Sequence, residues 1–304
     1  MDRRSFLLAA AAAPFVLREL TTALVTADTE AHVAAVDLLT GAVRIRIATR
    51  PGPRSIERAG RSAVVAHTAA GEVTILHAFA VRHVLDRFEE PRYTAAAADG
   101  RHAFVTDSGN ATLATVDVAR GEVVARLKLR LWPRHLSLSR DGGTLWIGLG
   151  TASPELAVVD VRDPRRPYVR GRVRPPFPAH DVGFSPSGRV WVTAGEARAI
   201  VVYDGTASRT LPADAAPQHV TFLHGRAFVT SGEDGTLRVY DEPTARLLQT
   251  TRVPVGSYNV QYAAGRVLTP SLSRGTLCVL DARGRVRSET RVAPSSHDAC
   301  LAPA

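Results

Sequence analysis

The sequence predicts an all-β protein, a seven-bladed β-propeller of four-stranded blades whose ring is closed by the C-terminal strand completing the N-terminal blade. Three observations lead there. A β-branched run followed by small or polar residues recurs at Val25, Val65, Val105, Ile147, Val192, Val229 and Leu268, at spacings of 40, 40, 42, 45, 37 and 39 residues. Each copy carries only strand-like segments and turns, and a period near 40 of that kind is one propeller blade. The repeat is also offset, because the chain begins with the run at Val25 and ends with a different element at Ser295. The first three strands must therefore take their fourth from the C-terminus, which pairs the two ends and hides the exposed sheet edges.

The elements follow in order. Residues 1–20 are set apart as an export segment: Arg3-Arg4 precedes Ser5, Phe6 and Leu7, and twelve apolar residues run on to Leu17. A basic pair followed by a short hydrophobic stretch has the form of a twin-arginine (Tat) signal, and twelve residues fall short of the ~20 that cross a bilayer as a helix. The propeller then occupies 21–304 as one unit. Within each copy the first run leads through a polar loop to a second apolar strand that usually ends in aspartate: Asp37, Asp117, Asp160, Asp204, Asp241 and Asp281. Aspartate there reads as a turn former that accepts from nearby backbone amides. A third strand such as Glu122–Leu129 returns, and a fourth element opens on proline in most copies, at Pro53, Pro91, Pro133, Pro178 and Pro217, with Ser257 and Ser295 in the last two. Proline suits the start of a strand, where its missing amide is not needed. Trp146 and Trp191 fall at equivalent points of two first-run strands and read as packing between blades.

The net charge of +9 points toward acidic partners, nucleic acid among them. Lys128 is the sole lysine, however, and no run of five basic residues occurs. Arginine-rich surface charge therefore reads as general rather than as a dedicated nucleic-acid face. Cys278 and Cys300 have no metal-ligand spacing and read as two lone buried thiols.

The phrase of proline, histidine, serine-acid-glycine turn, Val-Thr and alternating valines ending in aspartate is clearest from Pro133 to Asp160 and from Pro178 to Asp204. On these phrases the chain resembles the YVTN-type, YncE-like propeller family over essentially all of residues 21–304. That resemblance implies the propeller fold and a periplasmic, cell-envelope or extracellular location, in agreement with the N-terminal segment. It leaves the chemistry open, since related propellers include lactonases and redox proteins.

No nucleophile elbow, HExxH, CxxC or phosphate-binding loop occurs. One constellation stands out. The third position of the proline-opened element holds Ser55, Tyr93, His135, His180, His219, Asn259 and His297 in ring order. If this element is the innermost strand, its first residues gather round one mouth of the central channel. His135, His180, His219 and His297 are thus the candidate ligands of a transition metal ion. The competing structural reading makes histidine a repeat feature, each ring bonded to its own or the next blade. Arg54, Arg92 and Arg134 occupy the preceding position in three consecutive copies and, with Tyr93 and Asn259, are candidates for binding an anionic ligand. Asp181 and Asp298, following two of the histidines, read as hydrogen-bond partners of the next blade, pointing away from the ligand set.

The expected function is that of an exported, non-catalytic, monomeric propeller that presents its channel face to a protein, an envelope polymer or a small ligand. The alternative is a metal-dependent or lactonase-like enzyme working at the histidine arc.

Overall fold

The computed structural model describes residues 21–150 and 153–303. The expected export segment, 1–20, lies outside them. Seven four-stranded antiparallel sheets succeed one another along the chain, and the only helical piece among the described residues is a single turn, Gly195–Ala197. The chain is a seven-bladed β-propeller.

Blade 1 is built as the offset requires. Its inner strand is Ala299–Leu301, which pairs with Thr22–Ala27 in the register Ala23 to Leu301 and Val25 to Ala299. The junction is locked at both ends: the Thr26 amide donates to the Asp298 carbonyl at 2.9 Å, and the Ala302 amide to that of Thr22 at 2.8 Å. Blades 2 to 7 are each continuous, with inner strands Pro53–Ala59, Pro91–Ala96, Leu136–Leu138, Asp181–Phe184, Val220–Leu223 and Gln261–Ala263.

Burial changes across each blade as the strand positions demand. Middle strands such as Thr112–Asp117 are buried throughout, because neighbouring blades cover both faces. Outer strands such as Tyr168–Val173 alternate exposed and half-buried residues, since one face meets solvent. The apolar core is therefore distributed. Leu24, Val33 and Ile47 of blade 1 pack on Ile56, Val65 and Leu76 of blade 2, and a comparable mixed cluster fills each of the other inter-blade contacts. Trp191 and Trp146 do what was expected of them. Trp191 packs edge-on against Phe222 and Tyr240 of the next blade, with ring centroids 6.0 and 5.8 Å away, and Trp146 lies 6.0 Å from Phe184.

The aspartates behave as turn formers, with one exception. Asp37, Asp117, Asp160, Asp241 and Asp281 each accept from backbone amides two to four residues on. Asp204 instead pairs with the Arg189 guanidinium at 2.9 Å. Cys278 and Cys300 are buried free thiols.

One repeat feature was not legible as a bond: the threonine of the Val-Thr run. Thr26, Thr106, Thr193 and Thr230 donate their hydroxyls to the carbonyls of Arg54, Arg134, Gln218 and Tyr258, each on the next blade. These clasps grip the residue just before the predicted ring position. They set where the side chains of that ring point.

Candidate metal centre at the channel mouth

Seven inner strands line a central cavity of about 910 Å³, whose wall begins at Ser55, Tyr93, His135, His219 and Asn259 and runs on through residues such as Leu138 and Leu223. The predicted ring position is thus one end of the channel. In blades 2 and 3 the residue lies on the inner strand itself, whereas His135, His180 and His219 sit just before theirs. There the backbone is held by short bonds, such as the Gly148 amide to the His135 carbonyl at 2.9 Å and the His180 amide to the Thr193 carbonyl at 2.7 Å.

Three of the four candidate histidines come together. His135 is central: its ring centroid lies 4.4 Å from that of His219 and 5.2 Å from that of His180, while His180 and His219 are 5.3 Å apart. One ring nitrogen from each can be chosen so that all three lie within 4.8 Å of one another. Nitrogens bound tetrahedrally to one zinc-like ion at ~2.0–2.1 Å are roughly 3.3 Å apart, so each ring needs to move by under about 1 Å.

The electrostatics favour the neutral form of His135 and His180. Burial, with the added charges of His219 and His180, holds His135 well below the usual histidine range, and burial followed by the charge of His219 does the same for His180. Both ring nitrogens of His135 are buried and neither makes a well-formed hydrogen bond among the described residues, the His180 backbone being the polar group that acts on the ring. A neutral ring offers a lone pair, and a buried polar group left unpaired costs about 1–3 kcal/mol. A cation among the three rings removes that cost on the acceptor side.

His297, the fourth expected ligand, is not brought into the cluster. Asn259, at the same repeat position in the preceding blade, donates its amide to the His297 carbonyl at 2.8 Å and lies 3.1 Å from its ring Nδ1, which is also 3.1 Å from the Arg54 carbonyl. According to the tautomer, Nδ1 accepts from the Asn259 amide or donates to the Arg54 carbonyl, and either bond satisfies it locally. The repeat-feature reading therefore describes His297, and Asn259 acts as its partner.

Asp181 and Asp298 bridge blades as expected. Asp181 accepts from the Val220 amide at 3.0 Å, and Asp298 from the Ile56 amide at 3.1 Å. Asp181 departs from expectation in one respect, since its Oδ2 also lies 3.5 Å from Nδ1 of His219. It faces that ring because His219 belongs to the adjacent blade, where alternation along its own strand imposes nothing. A carboxylate at Nδ1 orients the imidazole and leaves Nε2 for a ligand. Sequence reading missed this role, although an acidic residue after histidine was its visible signal.

Tyr93 packs at a tilt of 41° against His135, with centroids 3.7 Å apart, and closes the layer on the blade 3 side. Gly195, at φ +59°, lets the backbone approach His180; a Cβ there would sit 3.3 Å from His180 Nδ1. Arg54, Arg92 and Arg134 stand one residue closer to the mouth than the ring position and are not part of the cavity wall.

No known family profile matches the chain, and no curated protein matches it in sequence. Solved propellers do match in structure. A chain of Kuenenia stuttgartiensis hydrazine synthase aligns at TM-score 0.76 and 15% identity, covering 87% of this chain and 93% of its own. Apo AztD from Citrobacter koseri aligns at 0.69 and 14%, covering 91% and 96%. Virginiamycin B lyase from Staphylococcus aureus aligns at 0.68 and 11%, covering 82% and 88%. At such identities the likeness establishes the propeller fold, and the functions named for these proteins are too diverse to transfer.

Proposed function

We propose that this protein is an exported, non-catalytic propeller of the YVTN type that binds one first-row transition metal ion through His135, His180 and His219. The observation that carries the reading is the convergence of three imidazoles from three consecutive blades, the central one with both nitrogens buried and without a well-formed hydrogen bond. Imidazole ligation suits zinc, copper, iron and nickel. Three histidines leave at least one coordination position for an outside ligand, and Asp181 supplies the orienting carboxylate that such sites commonly use. The Arg3-Arg4 segment supports export by the Tat route, which places metal capture in the periplasm, the cell envelope or outside the cell.

Metal content of the purified chain after exposure to zinc or copper tests the reading. One equivalent per chain is expected, lost in His135→Ala and His219→Ala and kept in His297→Ala. Failure of the unaltered chain to take up either ion overturns it.

A metal-dependent enzyme is the second reading, favoured by one feature: the cavity of about 910 Å³ reaches the same layer, with Tyr93 and His219 on its wall. Turnover of lactone substrates by the metal-loaded protein, abolished by a chelator and by His219→Ala, would decide for it.

A further inference from the structure

On the outer side of the histidine layer, we infer that Arg54, Arg92 and Arg134 form a receptor for a small oxyanion, a carboxylate or a phosphate group. The three occupy the same repeat position in blades 2, 3 and 4, so the fold carries them to one arc of the mouth. Packing fixes two of them. The Cζ of Arg92 lies 4.3 Å and that of Arg134 5.2 Å from the ring of Trp132. Two guanidiniums against one indole are within about a Debye length of each other, where like charges repel. Trp132 is itself anchored, its Nε1 donating to Glu90 Oε2 at 2.8 Å while Arg92 pairs with Glu90 Oε1 at 2.5 Å.

Local carboxylates do not balance the arc. Arg92 has Glu90, and Arg54 has Asp28 at 3.7 Å. Arg134 has no carboxylate at ion-pair distance and no hydrogen-bond acceptor for its side chain among the described residues. The Nε atoms of all three are buried without partners, and the terminal nitrogens of Arg134 meet no acceptor among the described residues. The reach of Arg134 is central. Its positive charge acts on His135, His180 and His297, which come from blades 4, 5 and 1, and it joins Arg54 in acting on Arg92. A cation at the channel mouth, held against an aromatic face and lacking an acceptor, suits the fork geometry with which arginine takes a carboxylate or phosphate.

The receptor does not depend on the metal, so the test uses the full chain stripped with a chelator. Calorimetric titration with inorganic phosphate and with acetate, at low salt and at 0.3 M sodium chloride, should show saturable binding of at least one of them. Phosphate alone, acetate alone or both identify which oxyanion geometry fits, and each supports the receptor. Arg134→Gln should weaken binding by more than tenfold. Arg134→Lys, which keeps the charge and is the safer variant for folding, should weaken it severalfold because the fork is lost. Arg209→Gln, on the exposed outer strand Ala207–Pro212, should leave it unchanged. No saturable binding of either anion, or equal weakening by Arg209→Gln, would overturn the inference. So would an Arg134→Gln chain that melts like the parent and binds as well.

Discussion

The blade 4–6 side of the channel mouth and the blade 7–1 side start from the same repeat position and end in opposite states. On one side His135, His180 and His219 face one another, and neither nitrogen of the central ring makes a well-formed hydrogen bond. On the other, Asn259 and His297 satisfy each other, with the Arg54 carbonyl as a third member. The difference lies in the neighbour. Two neutral imidazoles can share one N–H···N bond, but His135 lies stacked on His180 and edge-on to His219 with no such bond formed, whereas the Asn259 amide is placed to donate to His297. Recurrence along the chain sets the location of a side chain; its neighbour in the ring sets what it is free to bind.

The contrast can be broken most sharply at the histidines themselves. His135→Ala should weaken zinc or copper affinity by more than about 100-fold, while His297→Ala should change it less than about threefold, as read by competition with a chromogenic chelator. Equal losses from the two would erase the distinction between the sides. Next in size, Asn259→Ala should destabilise the fold by about 1–3 kcal/mol in urea unfolding, because His297 loses its buried partner, with metal affinity unaltered. Asp181→Asn tests the orienting carboxylate: affinity should fall by about tenfold, and melting should drop as well, since both carboxylate oxygens accept from backbone amides, of Val182 and Val220, and the side-chain amide keeps only one acceptor.

The smallest effect concerns the channel wall. Burial, and then the negative charge of Asp298, push the Glu57 carboxyl up to about 8, far above its unfolded range. A raised carboxyl favours the folded state most below its unfolded pKa of ~4.3, and that contribution is lost as pH rises through the folded value. The melting temperature should therefore fall between pH 5 and pH 8.5, and Glu57→Gln should flatten that slope by several degrees. An unchanged slope would show that Glu57 is solvated in the channel.

Much of the fold was legible because a propeller is written as a period. The seven Val-Thr-type runs, the turn aspartates and the offset between Val25 and Ser295 were enough to place every blade and the closing strand. The inter-blade threonine clasps were present in the sequence only as a recurring residue type. Their partners lie on the next blade, at separations near thirty residues in which nothing local marks the bond.

For the site, the sequence by itself determined that four histidines and three arginines reach one mouth of the channel, since residues at equivalent repeat positions must form rings. Only the tertiary structure decided that three of those histidines converge while His297 is held by Asn259, that Asp181 reaches the ring of His219, and that Arg134 is left without an acceptor. Each of these depends on contacts between blades, and a repeat specifies the height of a residue along the axis but not the chemistry of the side chain beside it.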